Sequence, residues 1–161
     1  NDTTPIYLNT DRVGIGEASP EAKLHITGSA DDTPNIFIEN TSTAQQDGGN
    51  ITFRLADTNT NLGDNLDIGD IKFQGWNYSG SDWENAAMIR CIKDGATDGN
   101  NDMGGELQFW TTDDGSATND QRMCIRHDGK VGIGTDVPGQ LLSVSAGSTN
   151  GTVQVLSLIH I

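Results

Sequence analysis

A five-residue signature occurs twice in this chain. Arg12-Val13-Gly14-Ile15-Gly16, followed by Pro20 and Leu24-His25-Ile26, returns as Lys130-Val131-Gly132-Ile133-Gly134, Pro138 and Leu142-Ser143-Val144, at a constant offset of 118 residues. A basic residue, two glycines, a proline and four aliphatic positions keep register between the copies. Self-similarity at a fixed period marks linear architectures in which neighbouring units, or neighbouring chains, complete one another's cores. The chain therefore reads as an excerpt of a repeating protein, and the long stretch between copies excludes a short-period solenoid.

The match extends upstream, where Ile6 to Asp11 aligns with Met123 to Asp128 apart from the extra Gly129, and Ile36-Phe37-Ile38 has a counterpart in Val153-Gln154-Val155. This divides the chain into residues 1–34, the end of one repeat with its VGIG motif and a linker; 35–129, a central module; and 130–155, the second motif and the start of a third repeat. Residues 156–161 do not fit the repeat and read as a non-native tail, the alternative being a buried strand continuing Val153 and Val155.

Composition limits the core. Hydrophobic residues make up 34% of the chain, and the level of about 45% usual for a globular domain is reached only by counting the 20 glycines, which bury almost nothing. A thin fold completed by partner chains is expected. The 18 Asp against 5 Glu, with abundant Asn and Thr, favour strands and tight turns over helices. A net charge of -14 argues against nucleic acid and against attraction to anionic membranes, both of which need Lys and Arg. Cys91 and Cys124 lie in strand-like runs and are expected as reduced thiols.

Period-two alternation runs through Ile36/Ile38, Ile51/Phe53/Leu55, Ile71/Phe73, Leu107/Phe109 and Met123/Ile125, each predicting a strand with one buried face. Residues 88–93 predict a further strand whose inner face the pattern does not assign. Turn chemistry separates them at Ser79-Gly80-Ser81, Lys93-Asp94-Gly95, Asp113-Asp114-Gly115 and His127-Asp128-Gly129. The fold class is all-β: an antiparallel meander or sandwich-like module over about 35 to 130, joined by short VGIG strands. Ser19-Pro20-Glu21-Ala22-Lys23 is a corner rather than a helix, since its second copy carries Gly139 and Gln140. Glycines alternating with Val and Ile leave one side of the motif bare. That bareness admits either a second backbone from another chain or a tight bend within this one, with equal weight.

The VGIG segments, with Gly105-Glu106-Leu107-Gln108-Phe109-Trp110-Thr111 and the run Gln121 to Thr135, resemble the repeat modules of bacteriophage tail fibres and related trimeric bacterial adhesive fibres. The resemblance implies an elongated homotrimer on a virion, acting as spacer with contact to a host-surface glycan or protein. Glu17, where the family pattern has Thr, departs from it at one turn. The alternatives are a secreted bacterial adhesin, extracellular or on the cell surface, and a glycan-degrading tailspike.

No converging nucleophile, acid or metal ligand set points to an enzyme. Two candidate sites remain. Trp76, Tyr78 and Trp83, with Trp110, mix aromatic plates with short polar groups in a manner suited to sugars or protein epitopes, although filling the scarce core or a trimer interface is the favoured reading. Asp57, Asn59, Asn61 and Asp64 alternate oxygen ligands suited to Ca2+, but Leu62 and Ile68 depart from an EF-hand, and Asx-turns are the favoured reading.

Overall fold

The computed structural model describes residues 5–28, 34, 36–39, 49–55, 65–95 and 103–145. The chain divides into two compact units, Asn1–Ile51 and Thr52–Ile161. The fold is all-β, with no helix among the described residues.

In the first unit, β1 (Ile6–Leu8), β2 (Val13–Ile15) and β3 (Leu24–Ile26) form one sheet in that order. β1 and β2 are antiparallel and β2 and β3 parallel. The second unit is a six-stranded sheet in chain order: β4 (Asp67–Asn77), β5 (Asp82–Lys93), β6 (Gly105–Thr112), β7 (Asn119–Ile125), β8 (Val131–Ile133) and β9 (Leu142–Val144). Every pair is antiparallel except β8 with β9. The meander thus runs on through the second VGIG motif. The turns fall where Asp, Asn, Ser and Gly predict them, with Ser81, Gly95, Gly115 and Gly129 at positive φ.

The three-strand unit is built twice. Gly14 faces Tyr7 on one side and His25 on the other; Gly132 faces Cys124 and Ser143 in the same way. The closing hydrogen bonds repeat as well, Val13 N to Lys23 O and Val131 N to Leu141 O each at 2.8 Å, and Gly16 N to Pro5 O and Gly134 N to Arg122 O at 3.0 and 2.8 Å.

Both glycines of the motif are demanded by their own chain. A Cβ on Gly14 would stand 1.9 Å from the Glu17 carbonyl oxygen, and one on Gly132 2.2 Å from that of Thr135. Gly16 and Gly134 have positive φ, with the Thr27 and Ser145 carbonyls equally close. Of the two readings of the bare side, the intrachain bend accounts for all four glycines. The corner between β2 and β3 is a series of bends around buried Pro20, whose carbonyl accepts from Arg12 Nη1 at 2.8 Å. Glu17 does the work of its counterpart Thr135: its carboxylate accepts from Ser19 N at 2.8 Å, as the Thr135 hydroxyl does from Val137 N at 3.2 Å.

Two expected strands are corrected. Residues 36–38 and 51–55 lie outside any strand, and their apolar side chains are exposed. Alternation is necessary for a strand but the ladder also needs a neighbouring edge in register. Phe53 instead packs over Gly69, occupying the space a Cβ there would take. The counterpart Val153/Val155, residues 156–161 and the calcium candidates Asp57, Asn59, Asn61 and Asp64 lie outside the described residues.

The two faces of the large sheet differ in chemistry. Across the strands, Ile71, Ile89, Phe109, Met123, Ile133 and Val144 stand in one unbroken row. A parallel row on the same face runs Gly69, Cys91, Leu107, Ile125, Val131, Leu142. Between them, directed to the opposite face, lies Asp70, Arg90, Gln108, Cys124, Gly132 and Ser143. The apolar face is the open one: Ile71, Leu107, Ile133, Leu142 and Val144 are all exposed. Among the described residues the buried hydrophobic side chains are Met88, Ile92 and Cys124, so the thin core expected from composition is present. Met88, Arg90 and Ile92 share the polar face, which assigns the inner side of residues 88–93.

Candidate functional site

The aromatic candidates separate into two places. Trp76 on β4 and Trp83 on β5 face each other across the ladder, their ring centroids 5.4 Å apart and planes at 72°, an edge-to-face pair. They do not fill the core of the single chain, which corrects that part of the expectation: Trp76 is 44% exposed, Trp83 55%, and Tyr78, on the turn between the strands, 88%. They sit at the tip of the β4–β5 hairpin.

Trp110 belongs elsewhere. It lies on the polar face in β6, half-buried, and its indole Nε1 donates to Gln108 Oε1 at 3.0 Å. Gln108 Nε2 donates to Glu106 Oε1 at 2.8 Å, and Gln121 Nε2 reaches the same oxygen at 3.4 Å. Gln108 and Glu106, each only 6% exposed, are buried polar groups satisfied by one another. A cavity of about 400 Å³ opens over them, bounded by Trp110, Arg90, Arg126 and Asp136.

Sequence reasoning missed the ion-pair cluster at the end of this network. Arg126 grips Asp94 with two bonds, Nε to Oδ2 at 3.1 Å and Nη2 to Oδ1 at 2.9 Å, and its Nε stands 3.6 Å from Glu106 Oε2. His127 Nδ1 meets Asp94 Oδ2 at 2.7 Å. The Arg126 guanidinium, helped by His127, holds the Asp94 carboxyl well below the usual carboxylate range against the opposing effect of burial. Arg90 clasps Asp70 at 2.9 and 3.3 Å and lowers its carboxyl in the same way. In the sequence Asp94 reads as a turn residue and as the start of an oxygen-rich loop, not as the centre of an ion-pair cluster. Its partners lie 32 and 33 positions away, and no local pattern joins them.

The carboxylates of this cluster are consumed by guanidinium groups, and among the described residues no group of three His, Cys, Asp or Glu side chains is placed to hold a metal ion. Both cysteines are free, as expected, and burial pushes each thiol up. His25, in the motif, accepts from Glu21 N at 3.4 Å, a position Ser143 fills in the second copy by accepting from Gln140 N at 3.1 Å. That role explains a polar residue between two aliphatic ones.

The chain matches no protein-family model and no curated protein.

Proposed function

We propose that this chain is a noncatalytic structural and adhesive module of a phage tail fibre, working as a homotrimer on the virion, in which copies cover one another's apolar sheet face. The observation that carries the reading is that face: two largely apolar rows cross the six strands without a charge, and apart from Gly69, where Phe53 packs, they leave Ile71, Leu107, Ile133, Leu142 and Val144 exposed and the rest half-buried in the single chain. Six strands at about 4.8 Å spacing make it about 24 Å wide, and continuous apolar patches of this extent mark an interface.

Identical copies at -14 repel one another unless they meet on an uncharged surface, and these two rows carry no charge, although the next row on the same face ends at Asp120. The smaller unit offers the same chemistry in Ile6, Leu8 and Leu24, all exposed. A partner that repeats the same apolar chemistry is most simply another copy of the chain. Three copies side by side would form a stiff spacer whose surface contacts act together, raising effective concentration at a host glycan or protein.

The test is light scattering of the whole chain, with and without a carboxy-terminal trimerisation tag, combined with alkylation of Cys91. That thiol stands on the apolar face, whereas Cys124 is fully buried already. The expected result is a trimer in which Cys91 is protected and from which Phe109→Asp releases monomers. A folded monomer with reactive Cys91, tagged or untagged, would sink the reading.

A further inference from the structure

The hairpin tips of β4–β5 and β6–β7 lie at the same end of the sheet, because β5 and β6 pair with Ala87 opposite Thr111 just before both chains turn away. Between these tips runs an open groove of about 500 Å³, within the range of small-molecule sites. Trp76 forms one wall; Glu84, Asn85, Thr112, Asp113 and Asp114 contribute the polar lining. The bulge that leaves Ala86 unpaired bends β5 at this point, a feature common beside binding sites. At Gly75 and Gly115 an added Cβ would meet open space, so part of the lining is bare backbone.

Three properties narrow the occupant. An exposed indole is costly in water and offers a flat apolar surface. Asn85 lines the groove, and its Oδ1, buried in the empty groove, has no hydrogen-bond partner among the described residues, a cost that a donor reaching it would remove. Three carboxylates, of which Asp113 is engaged by Arg122 and Glu84 accepts from Asn77 Nδ2 at 2.7 Å through one oxygen, disfavour any anionic ligand. A ring with an apolar C–H face and a rim of hydroxyl donors satisfies all three conditions.

We propose that this groove binds a neutral saccharide, with Trp76 as the stacking plate and Glu84, Asn85, Asp113 and Asp114 accepting from its hydroxyl groups. The inference rests on the adhesive half of the proposed function and is independent of its assembly half. Trp110 and its cavity take no part, since the polar groups there already satisfy one another.

The three tryptophans allow a direct reading by NMR of the assigned indole N–H signals in the whole chain. The probes are lactose, maltotriose, mannotriose and chitotriose, with sialyllactose as the anionic comparison and choline as the cationic one. The expected result is a saturable shift of the Trp76 signal with at least one neutral sugar, Trp110 unmoved. Trp76→Ala should abolish the response at Trp83, and Asp114→Asn should weaken binding about tenfold, a loss of about one hydrogen bond to a charged acceptor. Gly75→Leu, introduced where there is space for a side chain, should block the groove with the sheet intact, as read from the dispersed amide spectrum. The proposal is overturned by no saturable shift, by shifts centred on Trp110, or by binding of choline or sialyllactose alone. Light scattering on the same samples reads assembly separately, so a monomer that binds sugar, or a trimer that does not, tells which half fails.

Discussion

At the scale of single residues, the two glycines of each VGIG motif do different work. Gly14 and Gly132 give way to a carbonyl three residues on, while Gly16 and Gly134 take a backbone conformation that L side chains rarely adopt. Gly132→Ala should destabilise the large unit by about 3 kcal/mol, because the obstacle is backbone and cannot swing aside. Gly139→Ala, with nothing near its Cβ, should be close to neutral. Denaturant melts of the two variants check both. Asp94 gives a pH dependence whose sign follows from its lowered carboxyl: the unfolded state binds the proton first, so this stability is present above the unfolded value of about 3.9 and is lost as pH falls below it. Arg126→Met should remove most of that acid sensitivity and cost about 2 kcal/mol at neutral pH. Urea midpoints compared between pH 6 and pH 3 would show it.

Among the strands, pairing matters more than composition. β1 and β7 are equivalent members of the two copies, yet β7 is held between β6 and β8, whereas β1 has β2 as its neighbour among the described residues. All three residues of β1 are exposed, and those of β7 are mostly half-buried. Native-state hydrogen exchange should therefore find the amides of Met123 to Ile125 protected well beyond those of Ile6 to Leu8, despite their alignment in the repeat. Equal protection would mean that β1 finds another partner in solution. Alternation at 51–55 shows the same lesson from the other side, since Phe53 gives up a ladder for a place over Gly69.

For the whole molecule, the decisive property is the reversal of the usual arrangement: the networked polar face carries the buried residues and the apolar face stands open. If copies assemble on this face as proposed, each exposed Ile, Leu or Phe that a neighbouring copy covered would contribute about 1 to 2 kcal/mol, at roughly 25 cal/mol per Å². Ile89→Asp should then lower the assembled fraction far more than Arg90→Gln on the opposite face, although the two residues are adjacent in sequence. Sedimentation of the two variants at equal concentration tests this. If assembly uses the polar face instead, the order reverses.

The strands of the large sheet, their turns, the corner at Pro20 and the identity of the two repeats were legible in the sequence, because alternation, Asp-Gly turns and glycine spacing are local signals read within a few residues; the same alternation at 36–38 and 51–55 forms no strand. The aromatic candidates were legible as residues, but not their placement: nothing local tells Trp76 at a hairpin tip from Trp110 beside Gln108. Nor could local pattern pair Asp94 with Arg126, or show that Ile71, Ile89, Phe109, Met123, Ile133 and Val144 form one row. Register between strands decided those, since a shift of one residue would have sent every one of these side chains to the other face.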